Sequence, residues 1–402
     1  PCHSCPDNEM KVTDACQGCL ANPCKEVCPK GAITIVNGKS VIDQSKCINC
    51  GKCANVCPYH AILKMERPCA AACGMDAISS DKLGRAQIDY DKCVSCGMCL
   101  VNCPFGAISD KSQIFQVIHA IKSGTPVYAA VAPAFVGQFG KELTPEKLKG
   151  AMQELGFADV VEVAVGADLC TIEEAQDFLA EVPEKQPFMA TSCCPAWATM
   201  AKMEFPDLAP YISMALTPMV LTGRLIKKEH PGCKVVFIGP CSAKKLEASR
   251  KEIRSDIDFV MTFEEVMGMF TAKGINFEEV AATDSFTEAS ADGRGFAVSG
   301  GVASAVVNCI QEMAPEREMK VAKAEGLREC KELLKDAQKG KYDGYLLEGM
   351  ACPGGCVGGA GTMQGPTKAK GQIVVTMKKS KMKNSMESNY KNKLTLLEER
   401  EH

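Results

Sequence analysis

From about Ser112 the chain alternates short apolar runs with stretches whose apolar residues recur every three or four positions. The runs at Val127 to Ala132, Val160 to Val165, Phe188 to Thr191, Val235 to Ile238, Phe259 to Thr262, Phe296 to Val298, Lys320 to Ala324 and Tyr345 to Leu347 read as strands. Helical spacing falls between them, at Pro145 to Leu155, Ile172 to Ala180, Ala196 to Glu204, Phe263 to Lys273 and Gly301 to Glu312. Strand and helix in alternation predict an α/β domain of mostly parallel sheet flanked by helices, whose site lies outside the carboxyl ends of the strands. The first quarter follows another pattern. Its apolar segments are short, as at Ile33 and Ile42 or Ile78 and Ile88, and cysteine, glycine and proline punctuate them.

A chain of 402 residues exceeds the size at which single cores stop growing, so two or three domains are expected. The boundaries read as 1–110, 111–366 and 367–402, the last a basic tail containing K-K-S-K-M-K-N and expected as a solvated helix. A net charge of -3 argues against nucleic acid as a partner. Neither a secretory signal nor an apolar run of about 18 residues is present, which predicts a soluble cytoplasmic protein without a membrane span.

The 25 cysteines change the picture most. Cys47, Cys50, Cys53 and Cys57-Pro58 follow C-x2-C-x2-C-x3-C-P, and Cys93, Cys96, Cys99 and Cys103-Pro104 repeat it. This is the bacterial ferredoxin spacing, in which three thiolates wrap one 4Fe-4S cubane and the fourth serves its neighbour. Cys16, Cys19, Cys24 and Cys28-Pro29 form a looser copy, followed by Ile42-Asp43 just before Cys47; Cys69 and Cys73 recur in the same relation to Ile88-Asp89 and Cys93. The missing pair of that last copy is available as Cys2 and Cys5. The crossover rule then gives Cys16, Cys19, Cys24 with Cys57; Cys47, Cys50, Cys53 with Cys28; Cys93, Cys96, Cys99 with Cys73; and Cys2, Cys5, Cys69 with Cys103. An α+β ferredoxin-like domain with up to four 4Fe-4S clusters is expected, resembling the four-cluster ferredoxin subunits of molybdenum oxidoreductases with its groups permuted. Such a domain moves electrons.

In the second domain three strand ends deliver thiols. The segment Phe188 to Thr191 leads to Cys193-Cys194-Pro195, Val235 to Ile238 leads to Pro240-Cys241, and Tyr345 to Leu347 leads to Cys352 and Cys356 within a glycine-rich run ending at Gly361. Glycines beside thiolates let backbone approach a bulky group and point amides at it. Cys194, Cys241, Cys352 and Cys356 are therefore candidate cluster ligands, whereas Cys170, Cys233, Cys309 and Cys330 read as core or surface residues.

T-S-C-C-P-A-W at 191–197, P-C-S-A-K-K-L-E at 240–247 and E-G-M-A-C-P-G-G-C-V-G-G at 348–359 closely resemble the three signature motifs of the [FeFe]-hydrogenases, over about residues 112–366. The resemblance implies two sheets of four strands with an H-cluster between the lobes: a 4Fe-4S cubane on Cys194, Cys241, Cys352 and Cys356, bridged by Cys356 to a two-iron unit carrying CO, cyanide and a dithiolate. It implies that Lys244 donates to a cyanide, that Met350 packs near the two-iron unit, and that Ala132, Pro133 and Ala134 form a loop against the cofactor. It implies a proton relay from Cys193 through Glu174 and Ser213 to Asp177. Glycine at 239 and alanine at 196 depart from the methionine and glycine usual in hydrogen-producing prototypes, which suggests a looser pocket. The implied activity is reversible oxidation of H2 to protons and electrons, with a ferredoxin-like carrier and maturation proteins as partners. The alternatives are a non-catalytic iron-sulfur assembly or sensory relative, or a redox subunit of a larger complex.

Overall fold

The computed structural model describes residues 5–283, 286 and 288–398. Cys2 lies outside them. The chain divides into two compact units, one running to Cys93 and including Cys99–Ser109, the other comprising Val94–Met98 and everything from Asp110 on.

The first unit is one device repeated. Three antiparallel pairs form it: Ile33–Val36 with Lys39–Ile42, Ile78–Ser80 with Ala86–Ile88, and Glu9–Val12 with Ile62–Met65. Each pair is extended by the same backbone bond at 2.8 Å, from Asp43 to Ala32, from Asp89 to Ala77 and from Thr13 to Ala61. Cys28, Cys57, Cys73 and Cys103 each accept the amide four residues on, always at 3.3 Å. Four cysteines in one local geometry are structural equivalents. The pairing of Glu9–Val12 with Ile62–Met65 was not read from the sequence, because about fifty residues separate the partners and neither strand has a local turn to announce it. Met10, Ile33 and Ile62 pack with Cys24 and Cys53 into this unit's small core.

The second unit carries two parallel sheets. In the first, β1 (Val127–Val131), β2 (Asp159–Glu162), β4 (Lys234–Gly239) and β5 (Phe259–Thr262) lie in the order β5-β4-β1-β2. In the second, β3 (Met189–Ala190), β6 (Lys320–Glu325) and β7 (Tyr345–Met350) lie in the order β6-β7-β3. The central strands β4 and β7 are buried along nearly their whole length, which is why their sequences are mostly apolar. The edge strand β6 alternates half-buried and exposed positions. Among the helices around the site are α1 (Ala164–Glu181), α2 (Pro195–Glu204), α3 (Ala291–Gly295), α4 (Gly301–Met313) and α5 (Pro366–Lys379).

Two sequence expectations need correcting. Phe296–Val298 is no strand; among the described residues the second sheet has three strands, and a single bridge from Ala190 to Ile212 stands beside them. The apolar triplet instead turns over between α3 and α4, with Val298 bonded back to Gly295 and Gly301 to Val298, and the backbones of Gly295 and Gly301 abut where a side chain would collide. Nor is the basic tail a solvated appendage. Ala369 and Ile373 of α5 sit in the first core, Leu394 and Leu397 in the second, and Ser380, Ser385 and Ser388 are buried. Apolar residues four apart make α5 amphipathic beneath its positive composition. Among the described residues no helix is long and apolar enough to cross a membrane.

Candidate active site

The carboxyl ends of three strands meet at the seam between the two cores of the second unit. Cys194 caps α2 just beyond β3, Cys241 follows β4, and Cys352 and Cys356 follow β7. Cys193 and Cys194 pack against the core around α1, and Cys356 against the core around the first sheet. The glycine run has a packing reason at each step. Gly349 lies flush on the Trp197 indole, whose Nε1 donates to Thr191 O at 2.9 Å; Gly355, at φ +88°, brings its α-carbon so near the 297–300 turn that a methyl group would stand 2.5 Å from Ser299 N.

The thiols sense one another. Burial pushes Cys356 up to about 12, and like charge from Cys241 and Cys194 adds to it. Burial likewise lifts Cys241 to about 12, Cys194 adding to the rise and Lys244 opposing it. Cys352 is raised by burial, then by Cys241, Cys194 and Cys356, and Cys96 of the Val94–Met98 segment also reaches it. Cys241, Cys352 and Cys356, which hold their protons this firmly, ionise together only when a multivalent cation balances them. A cubane supplies that balance, and the donor set fits it.

Beside these thiols is a cavity of about 60 Å3. Its walls are Ala132, Pro133 and Ala134 after β1, Val163 just before α1 and Ala167 on it, Pro218, Met219, Phe237, Phe296 and Ala297. Its polar side chains are Cys193, Lys244 and Cys356. Lys244 is buried with its ammonium 2.6 Å from Glu247 Oε2, in an ion pair too oblique to be a hydrogen bond. Burial alone would depress Lys244, but Glu247 and then Cys241 outweigh it and hold the ammonium above its ordinary value. Thr217 Oγ1 donates to Glu247 Oε1 at 2.8 Å and fixes that partner. An apolar chamber with one cation and two thiols suits a compact group with diatomic acceptor ligands.

Glu174 is fully buried on α1, where one carboxyl oxygen accepts Ser192 N–H at 3.4 Å and the Ser213 hydroxyl lies near enough to favour the charged form. Burial raises its carboxyl to about 7, the Ser213 hydroxyl and the Ser192 amide pull it down, and Asp177, three residues along the same helix, pushes it up. Burial first, and then Glu174, raise the Cys193 thiol well above its ordinary value. Cys193, Glu174, Ser213 and Asp177 are thus brought within electrostatic or hydrogen-bond reach of one another.

The family model described as iron only hydrogenase large subunit, C-terminal domain, matches residues 125–360, more than half of the chain. The chain belongs to the iron-only hydrogenase family. Two matches to a 4Fe-4S binding domain cover residues 40–63 and 86–109 and take in both regular cysteine motifs. Iron hydrogenase 1 of Clostridium pasteurianum is 30% identical over 399 residues, covering 85% of this chain and 68% of its own. The periplasmic [Fe] hydrogenase large subunit of Nitratidesulfovibrio vulgaris is 31% identical, covering 80% and 85%. Cytosolic iron-sulfur assembly component 3 of Bos taurus is also similar, at 26% over 56% of this chain and 58% of that one. A solved [FeFe]-hydrogenase structure concerned with oxygen inactivation superposes with a TM-score of 0.61 at 25% identity, covering 72% and 95%.

Within this hydrogenase fold, the expectations from sequence fall short in particular places. Met350 is buried in the second core and is not among the cavity-lining residues. The glycine at 239 does not loosen the chamber, because the Phe237 ring reaches to 2.6 Å of where its Cβ would stand and Ala132 to 3.1 Å. Ala196 is buried in the first turn of α2. Val163, Ala167, Phe296 and Ala297 were missed as wall residues and Glu247 as the partner of Lys244; only the i,i+3 spacing of Lys244 and Glu247 on a short helix hinted at the latter. In the first unit, Cys16, Cys19, Cys24 and Cys57 line one small cavity of about 20 Å3, the set the crossover rule assembled. Cys5, Cys47, Cys50, Cys53, Cys69, Cys73, Cys93, Cys99 and Cys103 all lie in that unit as well.

Proposed function

We propose that this chain is an [FeFe]-hydrogenase that reversibly oxidises H2 to protons and electrons. The observation that carries the reading is the apolar chamber whose polar side chains are Cys193, Lys244 and Cys356, placed beside the three further thiols Cys194, Cys241 and Cys352. When bound there, an H-cluster supplies the iron centre at which H2 is cleaved. Cys194, Cys241, Cys352 and Cys356 would hold its cubane, and Cys356, which lines the chamber, would be the thiolate nearest the two-iron unit. Lys244, pinned by Glu247, presents N–H groups to the unit's acceptor ligands, and Ala132, Pro133, Ala134, Val163 and Phe237 exclude water. Cys193 takes up and releases the proton at its Sγ. Glu174 accepts it, Ser213 bridges, and Asp177, partly exposed, passes it toward solvent. Glu174 near neutrality serves both directions of transfer.

Residues 1–110 are the electron-transfer domain in this reading, with four 4Fe-4S clusters in the sets given by the crossover rule, and a ferredoxin-like carrier is the partner. Cys96 and Gly97 belong to the Val94–Met98 segment packed into the second unit, where Gly97 lies against Ser242 and Ala360. An iron-sulfur protein that carries a cubane without the two-iron unit needs the four thiols and has no use for Cys193, for Lys244 or for an apolar chamber.

The test is infrared spectroscopy of the full chain after maturation. Bands of metal-bound CO and cyanide, with H2 uptake and evolution, are expected; Cys356→Ser removes the bands and keeps the ferredoxin-type clusters. Matured protein without those bands would be a cubane carrier.

A further inference from the structure

Glu348 lies four residues before Cys352 on β7, fully buried, and has no place in the proton relay. Both its oxygens accept backbone amides, Oε1 from Gly300 at 2.6 Å and Oε2 from Ala303 at 2.8 Å. These amides open the thirteen-residue helix α4, whose first N–H groups have no partner within the helix. Burial pushes the carboxyl above its ordinary value, and the two amides, with Lys323 beyond them, draw it back. A carboxyl that only accepts, at two short bonds on a positive helix end, is ionised.

What Glu348 pins is the turn that touches the Cys356 loop. Ser299 N donates to Gly354 O at 3.1 Å and Val357 N to Ala297 O at 3.0 Å, so residues 297–299 hold the loop on both sides of Cys356. Ala297 and Phe296 are also chamber walls. The negative charge of Glu348 is felt at Cys356 and at Cys193.

We propose that Glu348 is a positioning residue of the iron-sulfur site: its carboxylate locks the turn 297–300 onto the Cys356 loop, and its buried charge keeps the cubane on Cys194, Cys241, Cys352 and Cys356 at low potential. The proposal rests on the reading that these four thiols hold a cubane. Reduction adds an electron to the cluster, and a nearby anion in a water-poor interior disfavours it.

The experiment is a potentiometric titration, followed by electron paramagnetic resonance, of the full chain reconstituted with iron and sulfide and without the two-iron unit. The signal of this cubane is identified by its loss in Cys241→Ser. If native protein and Cys241→Ser give the same spectra, the four thiols hold no cubane and the functional reading itself falls. Glu348→Gln is expected to raise the reduced-to-oxidised ratio at fixed potential about tenfold, a shift of about 59 mV for a one-electron couple. Glu348→Asp keeps the charge and is expected to keep the native midpoint while losing thermal stability. Should Glu348→Gln lose the cubane, retention by Glu348→Asp still supports the proposal. A native midpoint in Glu348→Gln with full iron content, or Glu348→Asp behaving no better than Glu348→Gln, overturns it.

Discussion

At the scale of single residues, Glu174 is the group whose environment costs stability in exchange for a useful proton affinity. Its carboxyl is raised from an ordinary 4.5 to about 7 by burial, so the folded chain holds a proton that the unfolded chain releases over that window. Stability therefore falls as pH rises from 4.5 to about 7 and levels off above it, by about 3 kcal/mol in all. Glu174→Gln removes that penalty and keeps an oxygen for Ser192 N. Urea unfolding of the cofactor-free chain should show the variant more stable than native at pH 8, with the gap closing toward pH 5; equal stability at pH 8 would mean that Glu174 is not buried as described. Cys193→Ala makes the complementary case. Iron content and infrared bands should persist while H2 turnover drops about a hundredfold or more, the usual reach of a positioned acid–base group. Undiminished turnover would send the protons elsewhere.

At the scale of elements, the loop after β7 depends on backbone that no side chain can replace. Gly355→Ala meets both a left-handed φ of +88° and Ser299 N at 2.5 Å. A loss of more than about 2 kcal/mol is expected, with loss of iron from the site. Gly365→Ala, with nothing within 4 Å of its Cβ, is the neutral control, and similar melting temperatures for the two variants would contradict the packing. The C-terminal segment is tied down through buried charge. Asp168 of α1 accepts Ser290 N at 2.8 Å and the Ser290 and Ser385 hydroxyls at 2.5 and 2.8 Å, while Arg294 spans Glu162, Ser380 and Phe286 O. Ser385→Ala leaves Asp168 short of one donor and should cost about 1 to 3 kcal/mol in urea unfolding. A solvated tail would show no change.

At the scale of the whole molecule, iron counts the clusters. Four ferredoxin-type cubanes and the cubane of the second unit predict about twenty iron atoms per chain when the full protein is reconstituted without the two-iron unit, at four each. Cys16→Ser should lower this by about four. A native content near twelve would leave only the two regular motifs and the second unit occupied.

How far the sequence alone reached is set by the range of the forces involved. The regular cysteine motifs, the parallel strands and the thiols at strand ends were legible because each depends on neighbours in the chain: ligand spacing, apolar runs, and the bend that proline and glycine impose. The closeness of Glu174, Cys193 and Ser213 was expected only through resemblance, since the three come from separate segments. The tertiary structure decided what local pattern left open. Phe296–Val298 has strand propensity yet turns over because α3 and α4 must pack Gly295 on Gly301. Ala132 stands 3.1 Å from where a Gly239 Cβ would lie, a contact visible only once β4 is placed beside the loop at Ala132. The basic tail proved to be packed structure because its serines meet Asp168 and Arg294, more than eighty residues away in sequence, and no periodicity announces a partner for a buried charge.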